Sequence, residues 1–403
     1  MEIRKLIPEE RIQYTALCES VFLEGKRWDV REAIRNPKEE KTDGNHPPVW
    51  GAFEKGTLLS AMQINPYTLN MNGHKVQMGG IGGVATRPEA RGKGLIRRLS
   101  RPAFEEMRAM GQVYSFLYPF SYEYYRQFGY EMCYPCHQAT IPISQFKHFP
   151  YPDNLKAHEP EEDHAPFKQI YEDFSRGRNL SAVRTEKDWK GLLNRDPYLR
   201  LQFTFLNHDE AGNPSSYVLY ETGVKSHNNQ SVIKIRELCW TTPQSLHEIF
   251  GFFGKMGSEY GAVRWHVPDG LNIMAILPDP YGIDWKINGV GMNRIVDVPA
   301  VLSMHPAPTG SGCVTLGVTD AFCPENTGLY RMEWEAGKLT ATRHAEAFAQ
   351  ADMETAVTTL AQLVTGYATP GEVIYRQDTA IRSGFDALEM LFPKKDLYLL
   401  ERF

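Results

Sequence analysis

The chain has 403 residues, of which 42% are hydrophobic and 23% are charged, and its formal net charge is −5. This length predicts two or three globular domains. Because the net charge is weakly negative, the chain has no overall positive field that would attract nucleic acid or an anionic membrane. No apolar run is long enough to predict a membrane-spanning helix. Because the first residues lack a signal-peptide core and the six cysteines are scattered as in proteins with reduced thiols, we expect a cytoplasmic protein.

The first 150 residues are predicted to form one domain of mixed helices and strands. Apolar residues at helical spacing predict helices, and alternating apolar residues predict strands. The predicted helices cover residues 12–22, 28–35, 95–110 and a short turn at 122–128. The predicted strands cover residues 49–54, 58–67, 75–86, 113–119 and 130–143. An acidic, proline-containing stretch after residue 150 predicts a domain boundary there.

The remainder of the chain is predicted to form two further α+β domains, over residues 151–297 and 298–403. In the middle domain we expect strands over 202–206, 217–221, 232–240 and 262–267, with a helix over 243–260. In the last domain we expect strands over 314–319, 328–334 and 338–342, a helix over 352–367, and an apolar strand over 397–400 just before the chain ends at Phe403.

Metal chemistry is not predicted by the cysteines or the histidines. Cys133 and Cys136 form a C-x-x-C, but a structural zinc site needs a second pair, and the chain has none. The twelve histidines do not include an H-E-x-x-H pair. We therefore expect both cysteines to be structural and the protein to contain no metal site.

The most informative motif is the turn Arg91-Gly92-Lys93-Gly94, which precedes the predicted helix over 95–110. The first N–H groups of a helix lack intrahelical partners, and the helix dipole favours an anion there. Glycines allow the backbone to approach a phosphate closely, and the two cations can add charge-assisted hydrogen bonds. The turn therefore predicts a pyrophosphate site, with a solvated basic turn as the alternative. It matches neither the P-loop nor the dinucleotide fingerprint.

This segment resembles the acetyl-CoA motif of the GNAT acetyltransferases, in which Arg/Gln-x-x-Gly-x-Gly/Ala follows a strand that ends near a proline. The resemblance lies in Val84-Ala85-Thr86-Arg87-Pro88 and in Arg91-Gly92-Lys93-Gly94-Leu95-Ile96, where Ile96 departs from the pattern. It implies that acetyl-CoA is bound by the residues that match the motif, which are Val84, Ala85, Thr86, Arg91, Gly92, Lys93, Gly94, Leu95 and Ile96. The middle domain is similar to a second acetyltransferase fold, but Thr241-Thr242-Pro243 replaces the motif, so we expect one acetyl-CoA site.

The whole chain resembles the Eis (enhanced intracellular survival) subgroup, in which an acetyltransferase domain, a degenerate acetyltransferase domain and a sterol-carrier-like domain follow one another. The sharpest match after the turn is Tyr124-Tyr125-Arg126-Gln127-Phe128-Gly129-Tyr130. It implies that Tyr125 is the general acid and that the terminal carboxylate of Phe403 is the base. Ser121 is carried over as a cofactor contact, although the bulky Phe120 departs from the family's small residue.

The resemblance also implies a substrate class and an assembly. Phe22, Glu24 and Trp28 lie in the region from which family members line the substrate pocket. The expected reaction is acetyl transfer to the primary amines of polycationic, aminoglycoside-like substrates, by a homo-oligomer that is a trimer or a hexamer. Two alternatives stay open: acetylation of lysine in a protein or peptide, and a non-catalytic protein that senses CoA or a lipid.

Overall fold

The computed structural model of the chain describes residues 1–22, 46–225, 231–344 and 351–401. The described residues form two compact units. The first contains Met1–Cys133, Gly291–Lys395 and Glu401, and the second contains Tyr134–Val290 and Asp396–Leu400. Among the described residues, no helix combines the length and hydropathy needed to cross a bilayer.

In the described residues of the N-terminal region, strands alternate with three helices. Its strands are β1 (Glu2–Lys5), β2 (Val49–Glu54), β3 (Thr57–Met71), β4 (His74–Thr86), β5 (Gln112–Leu117) and β6 (Glu131–Pro142). Its helices are α1 (Arg11–Phe22), α2 (Leu95–Ala109) and α3 (Tyr122–Arg126). The predicted elements of this region are present, apart from the short helix over 28–35, which lies outside the described residues.

The middle region has the same alternation. Its strands are β7 (Lys156–Ala157), β8 (Gln202–His208), β9 (Pro214–Lys225), β10 (Ser231–Trp240), β11 (Ala262–Val267) and β12 (Asp284–Ile295). Its helices are α4 (Ala165–Ser175), α5 (Glu186–Leu193), α6 (Pro197–Arg200) and α7 (Pro243–Gly254). Helix α7 ends earlier than the predicted helix over 243–260.

The C-terminal region contains a separate small sheet. Its strands are β13 (Gly312–Thr319), β14 (Gly328–Glu335), β15 (Lys338–His344), β16 (Met353–Ala356) and β17 (Thr379–Ile381), in the order β15-β14-β13-β16-β17. Its helices are α8 (Val298–Ser303), α9 (Val357–Thr365), α10 (Pro370–Val373) and α11 (Phe385–Leu391).

Two predictions for the C-terminal region were wrong, and both errors have a tertiary cause. The first residues of the predicted helix over 352–367 form β16, because they pair in parallel with β13. The predicted strand over 397–400 is absent, since only Leu397 forms a β-bridge, with Asn179. Backbone hydrogen bonds from Asn179 N to Asp396 O and from Tyr398 N to Asn179 O, both 2.9 Å long, hold this short segment, and Tyr398 and Leu399 are buried.

In the first unit, strands β1 to β5 lie side by side in chain order, and the end of β12 pairs with β5. Helix α2 packs on one face of this sheet. Its apolar residues Leu95, Leu99, Ala103 and Met107 are buried in a cluster with residues of β3, β4 and β5. Helix α1 covers part of the opposite face, around Leu17. In the second unit, β6-β11-β10-β9-β8-β7 form the sheet.

Candidate functional site

The sheet of the first unit opens where β4 and β5 diverge. These parallel strands pair from Gln77 and Gln112 to Ile81 and Leu117. Strand β4 continues to Thr86, and its last residues pair only with β3 in the described part of the chain. The end of β4 therefore presents one backbone edge that is not used by a neighbouring strand. An extended chain that contains amides can add to such an edge by backbone hydrogen bonds.

A β-bulge lies at the start of this opening. Between the pairs Ala61–Ala85 and Gln63–Gly82, strand β4 has one residue more than β3. Gly83 has a φ of +54°, which favours glycine. A bulge re-aims the backbone groups beside it, so the N–H of Val84 is a candidate for stabilising negative charge on a carbonyl oxygen in the opening.

The basic turn has the geometry of an anion site. Gly92 and Gly94 adopt φ values of +74° and +66°, and Gly94 is the N-cap of α2 without a side chain to cap it. The intrahelical bonds begin with the N–H of Arg98, which donates to Gly94 O at 3.2 Å. The N–H groups before it are consequently left for a ligand. A Cβ atom on either glycine would have no neighbour within 4 Å, so the space above the turn is open.

The side chains around the turn divide into two groups. Arg91 and Lys93 are exposed, and neither forms an ion pair with another described residue. Leu95 and Ile96 are buried in the cluster beneath α2. Their predicted contacts with a cofactor are therefore limited to their backbone N–H groups, and the departure at Ile96 is accommodated by the core.

The corresponding helix of the second unit is closed to an anion. Helix α7 begins with Thr242 as its N-cap, and Thr242 Oγ1 accepts a hydrogen bond from Ser245 N at 3.2 Å. A capping side chain satisfies an N–H group that would otherwise face a ligand. This difference supports the prediction of one acetyl-CoA site.

Tyr125 lies on α3, in the same buried cluster as Ile96 and Leu117, and Val84 packs against that cluster. Only 5% of Tyr125 is exposed, and none of the described residues forms a hydrogen bond with its hydroxyl group. Burial raises the pKa of this phenol above its ordinary value, with a smaller contribution from the neighbouring Tyr124. Tyr125 is therefore protonated at neutral pH and has a proton to donate.

The residues just before Tyr125 have structural contacts of their own. Ser121 is the N-cap of α3, and its Oγ accepts a hydrogen bond from Tyr124 N at 3.2 Å. Its hydroxyl group is thus engaged in holding the helix, which leaves its predicted cofactor contact a hypothesis. Phe120 is 77% exposed, yet its ring lies 5.2 Å from that of Tyr124 and 5.5 Å from that of Tyr125. Phe120 therefore forms an aromatic surface beside the two tyrosines. In the sequence it was noted only because it is bulky where the family has a small residue.

Of the remaining predicted residues, Phe22 alone belongs to the part of the chain that the structure describes. Phe22 is the last residue of α1 and is half-exposed. Glu24, Trp28 and Phe403 lie outside the described residues. Near the C-terminus, the hydroxyl group of Tyr118, directly after β5, donates a hydrogen bond to Glu401 O. The chain therefore returns to the first unit just before its last two residues.

Comparison with known protein families agrees with this architecture. Residues 2–133 and 180–295 match two models of the acetyltransferase (GNAT) domain, and residues 298–399 match the sterol carrier protein domain. These matches confirm the predicted α+β fold class, with two acetyltransferase domains followed by a sterol-carrier domain. The predicted boundaries near residues 150 and 297 stay a prediction. No curated protein sequence matches the chain.

Solved structures with the same fold extend over nearly the whole chain. A conserved protein of unknown function from Enterococcus faecalis V583, described as a probable N-acyltransferase, has a TM-score of 0.84 at 22% identity and covers 98% of both chains. A GCN5-related N-acetyltransferase from Anabaena variabilis has a TM-score of 0.84 at 19% identity over 100% of both chains. Eis1 from Mycobacterium abscessus has a TM-score of 0.78 at 16% identity, also over 100% of both.

Proposed function

Since the chain is a GNAT-family acetyltransferase, we propose that it transfers the acetyl group of acetyl-CoA directly to a primary amine. GNAT domains typically use acetyl-CoA, which supplies the acetyl group as a thioester. The observation that carries the proposal is the N-terminus of α2, where Gly92 and Gly94 leave backbone N–H groups uncapped and open. The exposed cations Arg91 and Lys93 match the charge of a pyrophosphate.

The opening between β4 and β5 would hold the amide-containing arm of the cofactor. The backbone edge at Val84, Ala85 and Thr86 is the part of β4 beyond its pairing with β5, and it leads along the chain to the turn. We place the reactive end of such a ligand near Tyr125, because Val84 packs against the cluster that contains this tyrosine. Two separate contacts fix position and orientation together, and this is a large part of what an enzyme contributes to a transfer reaction.

Each proton transfer in the proposed reaction has a residue assigned to it. The neutral amine attacks the thioester carbonyl, the Val84 N–H stabilises the oxyanion, and the carbon–sulfur bond breaks. Tyr125, which is protonated at neutral pH, donates its proton to the departing thiolate as the carbon–sulfur bond breaks, and the products are the amide and the free thiol of CoA. The terminal carboxylate of Phe403 accepts the proton of the amine. The hydrogen bond from Tyr118 to Glu401 O supports this part, since it brings the chain near the end of β5.

The proposed substrates are polycationic amines of the aminoglycoside type, a class that rests on the resemblance to the Eis subgroup. Phe120 offers exposed aromatic surface beside Tyr125, and Phe22 is a further exposed aromatic residue, at the end of α1. A lysine side chain of a protein or peptide has the same reacting group and is the second candidate. The assembly of the chain as a trimer or hexamer belongs to the same proposal.

The test is an acetylation assay with a panel of amines, in which acetylated products are detected by mass. It includes aminoglycosides, polyamines and lysine peptides. Acetylation of aminoglycosides supports the proposed substrate class. Acetylation of peptides alone would instead show that the substrate is a lysine side chain of a protein or peptide. Binding of CoA by calorimetry without turnover on any amine would contradict the enzymatic proposal and favour a sensor.

The same assay tests the terminal carboxylate. A version of the chain with a few residues appended after Phe403 moves the carboxylate away from its native position. We expect a large loss of kcat in the extended chain, with unchanged binding of CoA. Equal rates from the native and extended chains would remove the Phe403 carboxylate from the mechanism.

A further inference from the structure

Arg294 is a fully buried arginine that joins the tyrosine segment, Ser121–Tyr130, to the C-terminal region of the same unit. It lies near the end of β12 and has no exposed surface. One guanidinium nitrogen lies 2.7 Å from Asp320 Oδ2, and the side chain of Asp320 is also fully buried. The other terminal nitrogen donates a hydrogen bond to Phe128 O. The planar fork of an arginine can hold two acceptors in a fixed relative geometry.

The carboxylate end of this contact is itself held in place. Asp320 follows β13, and its Oδ1 accepts hydrogen bonds from the backbone N–H groups of Phe322, at 3.1 Å, and Cys323, at 2.9 Å. Its Oδ2 also accepts from Asn326 Nδ2 at 2.9 Å. A buried carboxylate with this many donors has little freedom to move. The sterol-carrier region thus fixes where the guanidinium lies.

The other end of the contact leads to Tyr125. Gly129 has a φ of +82°, and a Cβ atom there would overlap the terminal nitrogen of Arg294. The carbonyl of the preceding residue, Phe128, accepts the hydrogen bond from Arg294. The N–H of Phe128 donates a hydrogen bond to Tyr125 O at 3.0 Å. Two successive hydrogen bonds therefore connect Arg294 to the backbone of Tyr125.

We propose that Arg294 is a positioning residue for Tyr125, and that Asp320 holds Arg294 for this task. Arg294 acts through the turn at Phe128 and Gly129, which closes α3 and sets the direction of the tyrosine ring. The sterol-carrier region then contributes to the reaction as the support of the acid. The inference deepens the proposed function and rests on it. It predicts an effect on the chemical step without an effect on cofactor binding, because the basic turn has no contact with this pair among the described residues.

The experiment compares Arg294→Lys with Arg184→Lys. In the second unit, Arg184 forms a largely buried pair with Glu237, with nitrogen–oxygen distances of 2.7 and 2.6 Å. Both variants keep the positive charge but lose the planar guanidinium group, which can bind two acceptors at once. We expect Arg294→Lys to lower kcat for acetyl transfer by about 10-fold to 100-fold, as a small misplacement of a reacting group does. The KM for acetyl-CoA stays unchanged, and Arg184→Lys keeps the kcat of the wild type.

A second variant and a second readout keep the test decisive. Asp320→Asn retains the volume of the side chain and releases Arg294, so it should lower kcat in the same way. Incorporation of 3-fluorotyrosine gives a ¹⁹F resonance for position 125, assigned with Tyr125→Phe, and we expect it to shift in both variants. Wild-type kcat and an unmoved resonance, or an equal loss of kcat in Arg184→Lys, would overturn the proposal. If the wild type acetylates no amine, the proposed function fails, while the resonance still decides whether Arg294 positions Tyr125.

Discussion

The hydroxyl oxygen of Tyr14 occupies the place beside Gly83 in which a Cβ atom would lie. Tyr14 belongs to α1, and Gly83 is at the bulge of β4, where its φ is +54°. The Sγ atom of Cys18, one turn further along α1, lies 3.8 Å from Gly83 O. Helix α1 therefore packs directly on the backbone that opens the sheet, and only glycine fits between them.

This contact predicts that Gly83→Ala is more destabilising than an alanine at another left-handed glycine. The matched control is Gly56→Ala, because Gly56 has a φ of +77° and open space around it. The control loses about 1 kcal/mol from backbone strain alone. Gly83→Ala adds an overlap with Tyr14, which costs about 1–3 kcal/mol more. Urea denaturation measures both, and equal losses would show that the Tyr14 contact yields without cost.

The basic turn predicts a selective loss of cofactor affinity in Gly94→Ala. The control is Gly111→Ala, at the opposite end of α2, where φ is +70° and the surroundings are equally open. Backbone strain is thus matched in the two variants. A methyl group at Gly94 faces the space assigned to the pyrophosphate, and losing one charge-assisted hydrogen bond weakens binding about 10-fold or more.

Calorimetric titration with CoA distinguishes these variants. We expect Gly94→Ala to bind CoA more weakly than the wild type and Gly111→Ala to bind it equally well. If both variants bind as the wild type does, the pyrophosphate lies elsewhere. If both are weakened alike, the loss comes from the stability of the helix.

Local chemistry explains why much of this site could be predicted from the sequence. The two glycines of the turn, the apolar face of α2 and the glycine-containing strand β4 are patterns carried by neighbouring residues, and the structure shows each of these elements. Gly111, which follows the C-cap of α2, has a φ of +70°. Tyr125 was selected by resemblance, since Tyr122, Tyr124 and Tyr130 lie close to it in the sequence and no local pattern separates the four tyrosines.

The features that were missed depend on partners far away in the sequence. Residues 353–356 are helical by pattern but form a strand because β13 offers a parallel partner. The contact of Arg294 with Phe128 and Asp320 joins three distant segments. These choices are made by tertiary packing, which one sequence does not display.

The sterol-carrier region predicts a loss of stability in mild acid. His305 is buried with its Nε2 atom 2.7 Å from Leu391 O, and burial lowers its pKa to about 4. An unfolded histidine titrates near pH 6.5, so the contribution of the neutral ring is complete above about pH 6.5 and is lost as the pH falls towards 4. The full loss is roughly 3 kcal/mol for a shift of this size.

Unfolding free energies measured between pH 7 and 4 (a range set by that shift) test this expectation. His305→Gln keeps a side-chain donor for Leu391 O and removes the titration, so the decline should be shallower. The exposed His74 provides the matched control, His74→Gln, which should decline as the wild type does. A His305→Gln variant that declines as steeply as the wild type would assign the acid sensitivity to other groups.

The most direct test of the central claim is the kcat for acetyl transfer in Tyr125→Phe beside Tyr124→Phe. The two rings are neighbours, with centroids 5.2 Å apart, and each variant removes one hydroxyl group. With Tyr125 as the acid, we expect Tyr125→Phe to lose about 100-fold or more in kcat at an unchanged KM for acetyl-CoA, while Tyr124→Phe stays near the wild type. Wild-type turnover in Tyr125→Phe, or an equal loss in Tyr124→Phe, would contradict the assignment.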